Sequence, residues 1–135
     1  MWSVALANML KDFCALNKLS TSYDQLLKTG ALRCDDVPVS LLPVTADTTA
    51  IRVLISMGTP PNTHHAAIYR RLLEINLLMP EQNKEKLSID PSTGDVIFSY
   101  ELQAPTAQTL LLSLQHASSK AHEWQLSYFL DEAIA

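Results

Sequence analysis

The sequence predicts an α+β fold, in which helices pack on a twisted antiparallel sheet in the order α-β-β-β-α-β-β-α. Three observations support this. Apolar residues repeat at helical spacing near both ends of the chain and once in the middle, they alternate in the segments between, and turn residues separate those segments. The chain has 135 residues, the size of one ordinary domain, so we assign residues 1–135 to a single domain.

Composition excludes several classes of function. The net charge is -4 and the ten Lys and Arg residues form no cluster, so we expect no nucleic-acid binding, which needs a basic surface. No apolar run approaches the length of a membrane span, so we expect no membrane insertion. The first residues lack the basic segment of a secretory signal, and two cysteines make no disulfide framework, so a cytoplasmic location is expected.

The first helix is predicted over residues 1–18, where no Gly or Pro interrupts the pattern. Its apolar side is formed by Leu6, Met9, Leu10, Phe13 and Leu16. Three strands should follow, the first in the apolar stretch 26–34, which ends at a turn of two aspartates. The second, 37–44, contains two prolines, which predicts an edge position or an irregular strand. The third, 50–57, alternates most clearly, and short links favour an antiparallel meander.

The second helix is predicted from a cap at Asn62 or Thr63 to about Met79, before Pro80. It carries two apolar lines about 120° apart at 100° per residue. One line contains Ile68, Leu72, Ile75 and Met79, and the other contains Ala66, Tyr69, Leu73 and Leu77. The helix is therefore either buried from two sides or shared with another chain, and we favour the second interpretation. A homodimer is predicted through Ile68, Leu72, Ile75 and Met79, with Leu87 and Ile89 beside them.

A β-hairpin is predicted next, with strands at 87–90 and 96–102 around a Pro- and Gly-containing turn. The last helix should run from Pro105 or Thr106 to about Asp131. Its apolar side is formed by Leu110, Leu114, Ala117, Ala121, Trp124 and Tyr128.

No set of residues predicts catalysis, a cofactor or a metal. The adjacent His64 and His65 point about 100° apart on a helix, so they do not suit one metal ion. Cys14 and Cys34 have no local base that would activate a thiolate. We therefore predict that the protein is not an enzyme.

Two neighbouring segments suggest a family. Residues 72–78 read LLEINLL, and residues 87–98 read LSIDPSTGDVIF after a polar loop. Together they resemble the CesT-like class I type III secretion chaperones, which often show LLEANLL and then a hairpin of the form LxxDPxTGxVxL. Ile75 stands where that family usually has a small residue, and Asp35-Asp36 where it often has a glycine turn.

The resemblance implies a cytoplasmic homodimer of Gram-negative bacteria with a role in virulence. Such a chaperone binds the N-terminal region of an effector in extended form, keeps it soluble and delivers it to the secretion apparatus, without a nucleotide. The alternative is a small ligand-binding or enzymatic domain with a cavity between sheet and helices. The inward strand residues disfavour that alternative because they are almost wholly apolar: Ile51, Val53, Ile55, Phe98 and Tyr100.

Two client surfaces are compatible with the sequence. One is a groove between the first helix and the meander, lined by Leu6, Met9, Phe13, Leu32, Leu41 and Leu54. The other is an open strand edge, which can pair with the backbone of an extended client. We favour the groove, and note that its residues are equally compatible with a plain hydrophobic core.

Overall fold

A computed structural model describes residues 2–16, 22–45, 48–60, 65–79 and 83–124. Within these ranges the helices are α1 (Val4–Leu16), α2 (Tyr23–Thr29), α3 (His65–Leu78) and α4 (Ala107–Trp124). The strands are β1 (Ala31–Cys34), β2 (Val37–Pro43), β3 (Ala50–Gly58), β4 (Lys86–Ile89) and β5 (Val96–Gln103). The predicted α+β class and the predicted order are confirmed, apart from the additional short helix α2.

All five strands form one antiparallel sheet in the order β1-β2-β3-β5-β4. The predicted meander is β1-β2-β3, and the predicted hairpin is β4-β5. Pairing of β3 with β5 joins the two units through the longest ladder of the sheet, from Ala50 opposite Gln103 to Gly58 opposite Val96. The chain thus builds a continuous sheet from two locally formed pieces.

The segment predicted as the first strand begins with a helix instead. The hydroxyl of Ser22 accepts a hydrogen bond from the Gln25 N–H at 3.2 Å, which caps the start of α2. Gly30 ends α2 with a left-handed φ of 69°, and its N–H donates to the Leu26 carbonyl at 2.8 Å. Leu26 and Leu27 therefore belong to α2, and β1 begins only at Ala31.

The expectation that the proline-containing strand lies at an edge is wrong, since β2 pairs with β1 on one side and β3 on the other. Both prolines stand where a ladder stops. Pro38 precedes the pairing with β3, which starts at Val39. The Leu41 N–H points to the β1 side of β2 and donates to the Gly30 carbonyl. Because the direction of the backbone groups alternates along a strand, the nitrogen of Pro43 points to the same side, where it lies beyond the end of β1. Neither missing N–H therefore interrupts the sheet.

The core lies between one face of the sheet and the four helices, with α3 contributing Ile68 and Leu72 beside β4. Both predicted apolar sides are largely confirmed: of the residues predicted for the apolar side of α1 only Leu16 is exposed, and Trp124 is half-buried at the end of α4. Tyr128 and the predicted helix end at Asp131 lie outside the described residues. The buried side chains of α1, α2 and α4 are Leu6, Met9, Leu10, Phe13, Leu26, Ala107, Leu110, Leu114, Ala117, Ser118 and Ala121.

The opposite face of the sheet, which we call the open face, is more exposed along β2 and β3 than the face that contacts the core. Along β2 and β3 its side chains are exposed or half-buried, and these are Pro38, Ser40, Leu42, Arg52, Leu54 and Ser56. Alternation places them away from α1 and α4 because their neighbours in each strand are buried.

The predicted turn of two aspartates is also present. Asp35 and Asp36 both have positive φ, 50° and 66°, as a two-residue hairpin turn requires. The hydroxyl of Ser118 on α4 donates to the Asp35 carboxylate at 3.3 Å, and the Nε2 of His122 donates to the Asp35 carbonyl at 3.1 Å. These bonds hold the β1–β2 hairpin against α4.

Candidate functional site

The helix predicted to mediate dimerisation, α3, lies beside the edge strand β4. Ile68 and Leu72 are only 1% and 4% exposed and join the hydrophobic core together with Leu87. Ile75 and Met79 are partly buried against the same core. The line of residues predicted to meet a second chain therefore packs against the chain's own sheet, and Ile89 alone of the predicted interface residues counts as exposed.

Three of the four residues of the other predicted line, Ala66, Leu73 and Leu77, are exposed, whereas Tyr69 is partly buried against the core. Leu73 is 71% exposed, Leu77 85% and the adjacent Leu78 81%. We call these three leucines the α3 surface. Soluble monomers rarely leave neighbouring large apolar side chains together in water unless they form an interaction site. As predicted, α3 has an apolar face that no other element of the described residues covers. That face is formed by the line of Leu73 and Leu77 and not by the line of Ile68 and Leu72.

One side chain fixes which line points outward. The Nδ2 of Asn76 donates to the Leu87 carbonyl at 2.8 Å, and the Leu87 N–H donates to Asn76 Oδ1 at 2.6 Å. At 100° per residue, Asn76 lies 40° from Leu72 and 100° from Leu77. When Asn76 reaches the edge of β4, Leu72 is therefore turned inward and Leu77 outward. Asn76 belongs to the segment LLEINLL, and no pattern in the sequence alone predicts this contact.

The residues predicted to bind a client mostly lie inside the protein. Five of the six are buried in the core of the single chain: Leu6, Met9, Phe13, Leu32 and Leu41. Leu54, the sixth, is half-buried on the open face, on the other side of the sheet. The predicted groove between α1 and the meander is filled by the chain's own side chains, as the core interpretation of these residues expects.

The two edges of the sheet differ in their availability. At β4, Asn76 occupies both backbone polar groups of Leu87 that point away from β5. At the other edge, β1 pairs with β2, and no other strand of the described residues lies beside it. The Gly30 carbonyl accepts from the Leu41 N–H of β2, so by alternation the backbone groups of Ala31 and Arg33 point away from β2. The Ala31 N–H donates to the Thr29 hydroxyl at 3.2 Å, which leaves the Arg33 N–H and the Ala31 and Arg33 carbonyls facing outward. The β1 edge is therefore the one that can accept another strand.

A small cavity of about 170 Å³ lies between β5 and α4. The Tyr100 hydroxyl is hydrogen-bonded to the Ser113 hydroxyl at 2.5 Å, and burial raises the pKa of Tyr100 to about 12. The ammonium group of Lys120 lies 5.0 Å from the centre of the Phe98 ring. Ligand pockets typically enclose roughly 300–1,000 Å³. The cavity is thus smaller than the alternative function, a ligand-binding or enzymatic domain, would call for.

Both cysteines are at least partly buried. Burial raises the pKa of the Cys34 thiol, which lies 3.9 Å from the Ser118 hydroxyl, and also raises the pKa of Cys14. Within the described ranges, no three His, Cys, Asp or Glu side chains come together as a metal site. His64 and the side chain of His65 lie outside the described residues. Among the described helices, none is long and apolar enough to cross a membrane.

Comparison with known families gives one match. The model of the Tir chaperone protein (CesT) family matches residues 8–127 of this chain. A search of curated proteins finds no match.

Among solved structures, the fold is similar to that in the crystal structure of the ExsC–ExsE complex, with a TM-score of 0.73 and 20% identity over 93% of this chain and 96% of the other. It is also similar to that in the HopA1–SchA chaperone–effector complex, with a TM-score of 0.63 and 13% identity over 92% of this chain and 95% of the other. At these identities the likeness establishes the fold.

Proposed function

Because the chain belongs to the Tir chaperone protein (CesT) family, we propose that it is a type III secretion chaperone that binds an effector protein. The family match over residues 8–127 is the observation that carries the proposal. The similar HopA1–SchA structure is itself a chaperone–effector complex. In this proposal the protein acts in the bacterial cytoplasm without catalysing a reaction, keeps the N-terminal region of its client soluble, and delivers it to the secretion apparatus.

The chaperone is a homodimer through the α3 surface. Leu73, Leu77 and Leu78 lie within two turns of one helix, so a two-fold axis beside α3 brings the same three leucines of both chains together. Full burial of one leucine is worth roughly 1.5–3 kcal/mol. Three from each chain supply a substantial part of a stable interface. We propose this interface in place of the one formed by Ile68, Leu72, Ile75 and Met79, because those side chains pack into or against the core of their own chain.

The client pairs with the sheet along the edge of β1. An extended segment has unpaired backbone N–H and C=O groups, and the outward-facing N–H of Arg33 and carbonyls of Ala31 and Arg33 on β1 match them. The buried state of Leu6, Met9 and Phe13 argues against the groove as the binding surface and for this second alternative. Backbone pairing tolerates different client sequences, which suits a protein that must hold an unfolded segment and later release it.

Co-expression tests the proposal. The chain is produced with the tagged N-terminal segments of candidate effectors, and each segment is captured on resin; the C-terminal domains of the same effectors are the matched controls. We expect at least one N-terminal segment to retain the chain and to become soluble with it, while the C-terminal domains retain none. Failure of every N-terminal segment to retain the chain would contradict the proposal.

A further inference from the structure

The open face of the sheet contains a groove of about 400 Å³ that none of the functions assigned above uses. We call it the sheet groove. It is lined by Pro38, Ser40, Leu54, Ser56, Ser88, Ile89, Asp90, Pro91, Asp95 and Ile97. It crosses four strands, from the start of β2 to the turn that joins β4 and β5.

Side-chain size explains why the sheet is hollow here. Ser56 lies opposite Ile97, and Ile97 opposite Ser88, so small side chains flank a large one across three strands. The register of β3 also shifts between Ser56 and Gly58, which bends the strand at this point. Leu54 and Ile97 are half-buried and give the floor an apolar surface that water still reaches. Hydroxyl groups therefore surround an apolar floor.

One end of the sheet groove is negatively charged. The Asp95 carboxylate accepts hydrogen bonds from the Thr59 hydroxyl and, at 3.2 Å, from the Ser56 hydroxyl. The Asp90 carboxylate accepts from the N–H and the hydroxyl of Ser92 at 2.9 and 2.7 Å. These bonds hold both carboxylates in place at the β4–β5 turn.

The charge around the groove differs between its two ends. None of the lining residues is Lys or Arg. Three basic side chains lie on the same face but outside the lining: Arg33, opposite Pro38 at the far end of the groove, Lys86, and Arg52, which is paired with the Glu101 carboxylate at 2.9 Å. A cation is therefore favoured near the β4–β5 turn and disfavoured near the start of β2.

We propose that the sheet groove binds an extended polypeptide segment in which an apolar side chain stands next to lysine or arginine. The apolar side chain covers Leu54 and Ile97, and the cation lies beside Asp90 and Asp95. Hydroxyl groups along the groove are placed to bond to the backbone of the segment. The inference rests on the proposed function, because the segment belongs to the client; it adds which side chains of the client the chaperone selects.

Synthetic peptides test this inference without an effector. The ¹⁵N-labelled chain is titrated with the capped pentapeptide SKLKS, with the charge-reversed SELES and with SKSKS, which lacks the apolar side chain, and amide shifts are followed by NMR. We expect SKLKS to move the amides of Leu54, Ser88 and Ile97. Each control peptide should bind about tenfold more weakly, since one loses the ionic and the other the apolar contact.

Variants separate the groove from the general acidity of the chain. Asp90→Asn combined with Asp95→Asn should weaken SKLKS binding about two- to fivefold for each lost carboxylate. Ser88→Phe, at an exposed position, should fill the hollow and abolish the shifts at Leu54 and Ile97. Asp12→Asn combined with Glu123→Gln, at exposed positions on α1 and α4, changes the charge equally and should leave binding unchanged.

Three results would overturn the inference: equal binding of SELES, unchanged binding after loss of both groove carboxylates, or binding of butylamine as tight as that of SKLKS. If any of these results is obtained while effector N-terminal segments are still captured, the sheet groove does not bind the client, and the proposed function stands. Loss of effector capture alone removes the proposed function, since the titration contains no effector.

Discussion

The side-chain amide of Asn76 takes the place of a neighbouring strand at the edge of β4, where it bonds to both the carbonyl oxygen and the N–H of Leu87, at 2.8 and 2.6 Å. This relationship closes the sheet edge at that residue against pairing with another chain. It also agrees with the orientation of α3, in which Leu73 and Leu77 point into solvent while Leu72 is buried.

Asn76→Ala should destabilise the protein by about 1–3 kcal/mol, because two backbone groups at the strand edge lose their partner. Urea unfolding at a fixed protein concentration measures the free energy. Gln108→Ala removes an amide from an exposed position on α4 and should change it by less than about 0.5 kcal/mol. Equal losses in the two variants would show that the Asn76–Leu87 bonds contribute nothing of their own.

Leu73→Asp combined with Leu77→Asp should give a folded monomer, because the charges occupy the α3 surface without entering the core. Light scattering should then report the single-chain mass of 15.0 kDa, against about twice that for the wild type. Leu112→Asp, at a leucine on α4 that is 65% exposed, is the matched control and should remain a dimer. A wild-type mass of one chain at micromolar concentration would refute the dimer.

Gly30→Ala should be far more destabilising than Gly94→Ala, although both glycines have positive φ. A Cβ on Gly30 would lie 2.3 Å from the Leu41 carbonyl oxygen, whereas one on Gly94 would meet nothing closer than 3.9 Å. We expect a loss of about 1 kcal/mol at Gly94, from backbone strain alone, and about 3 kcal/mol at Gly30. Thermal or urea unfolding measures both, and similar losses would argue against the close approach of α2's end to β2.

Tyr100 should ionise well above the usual range of a tyrosine, since its pKa is raised to about 12 by burial. The folded pKa exceeds the usual value near 10, so the stability that this group contributes is complete below pH 10 and is lost as the pH rises toward 12. Absorbance at the phenolate band during alkaline titration of wild type and Tyr100→Phe measures the difference. A difference spectrum that titrates near pH 10 would contradict the burial of the hydroxyl.

Alternating and helical periodicity predicted most of the architecture. The strand β3 and the helix α4 were correctly placed because their apolar residues follow one period without interruption. The short helix α2 was missed, although Ser22 and Gly30 flank it as capping residues. A seven-residue helix contains barely two turns, so its periodicity is too short to separate from that of a strand.

The candidate sites were harder to predict than the fold. The sequence showed two apolar lines on α3, but which line is buried depends on the bond between Asn76 and Leu87, residues that different elements contribute. The sheet groove left no pattern either, since Ser40, Ser56 and Ser88 resemble the solvent-facing residues of three separate strands. Only the register of β2, β3, β5 and β4 brings them together.

Hydrogen exchange on a complex of the chain with a captured effector N-terminal segment tests whether this protein holds its client extended along its sheet. We expect the segment to exchange freely when alone and to gain protection only in the complex, together with new protection of the outward-facing amides of β1. A segment already protected when free, or a complex in which β1 gains no protection, would mean that the client is not held in this way.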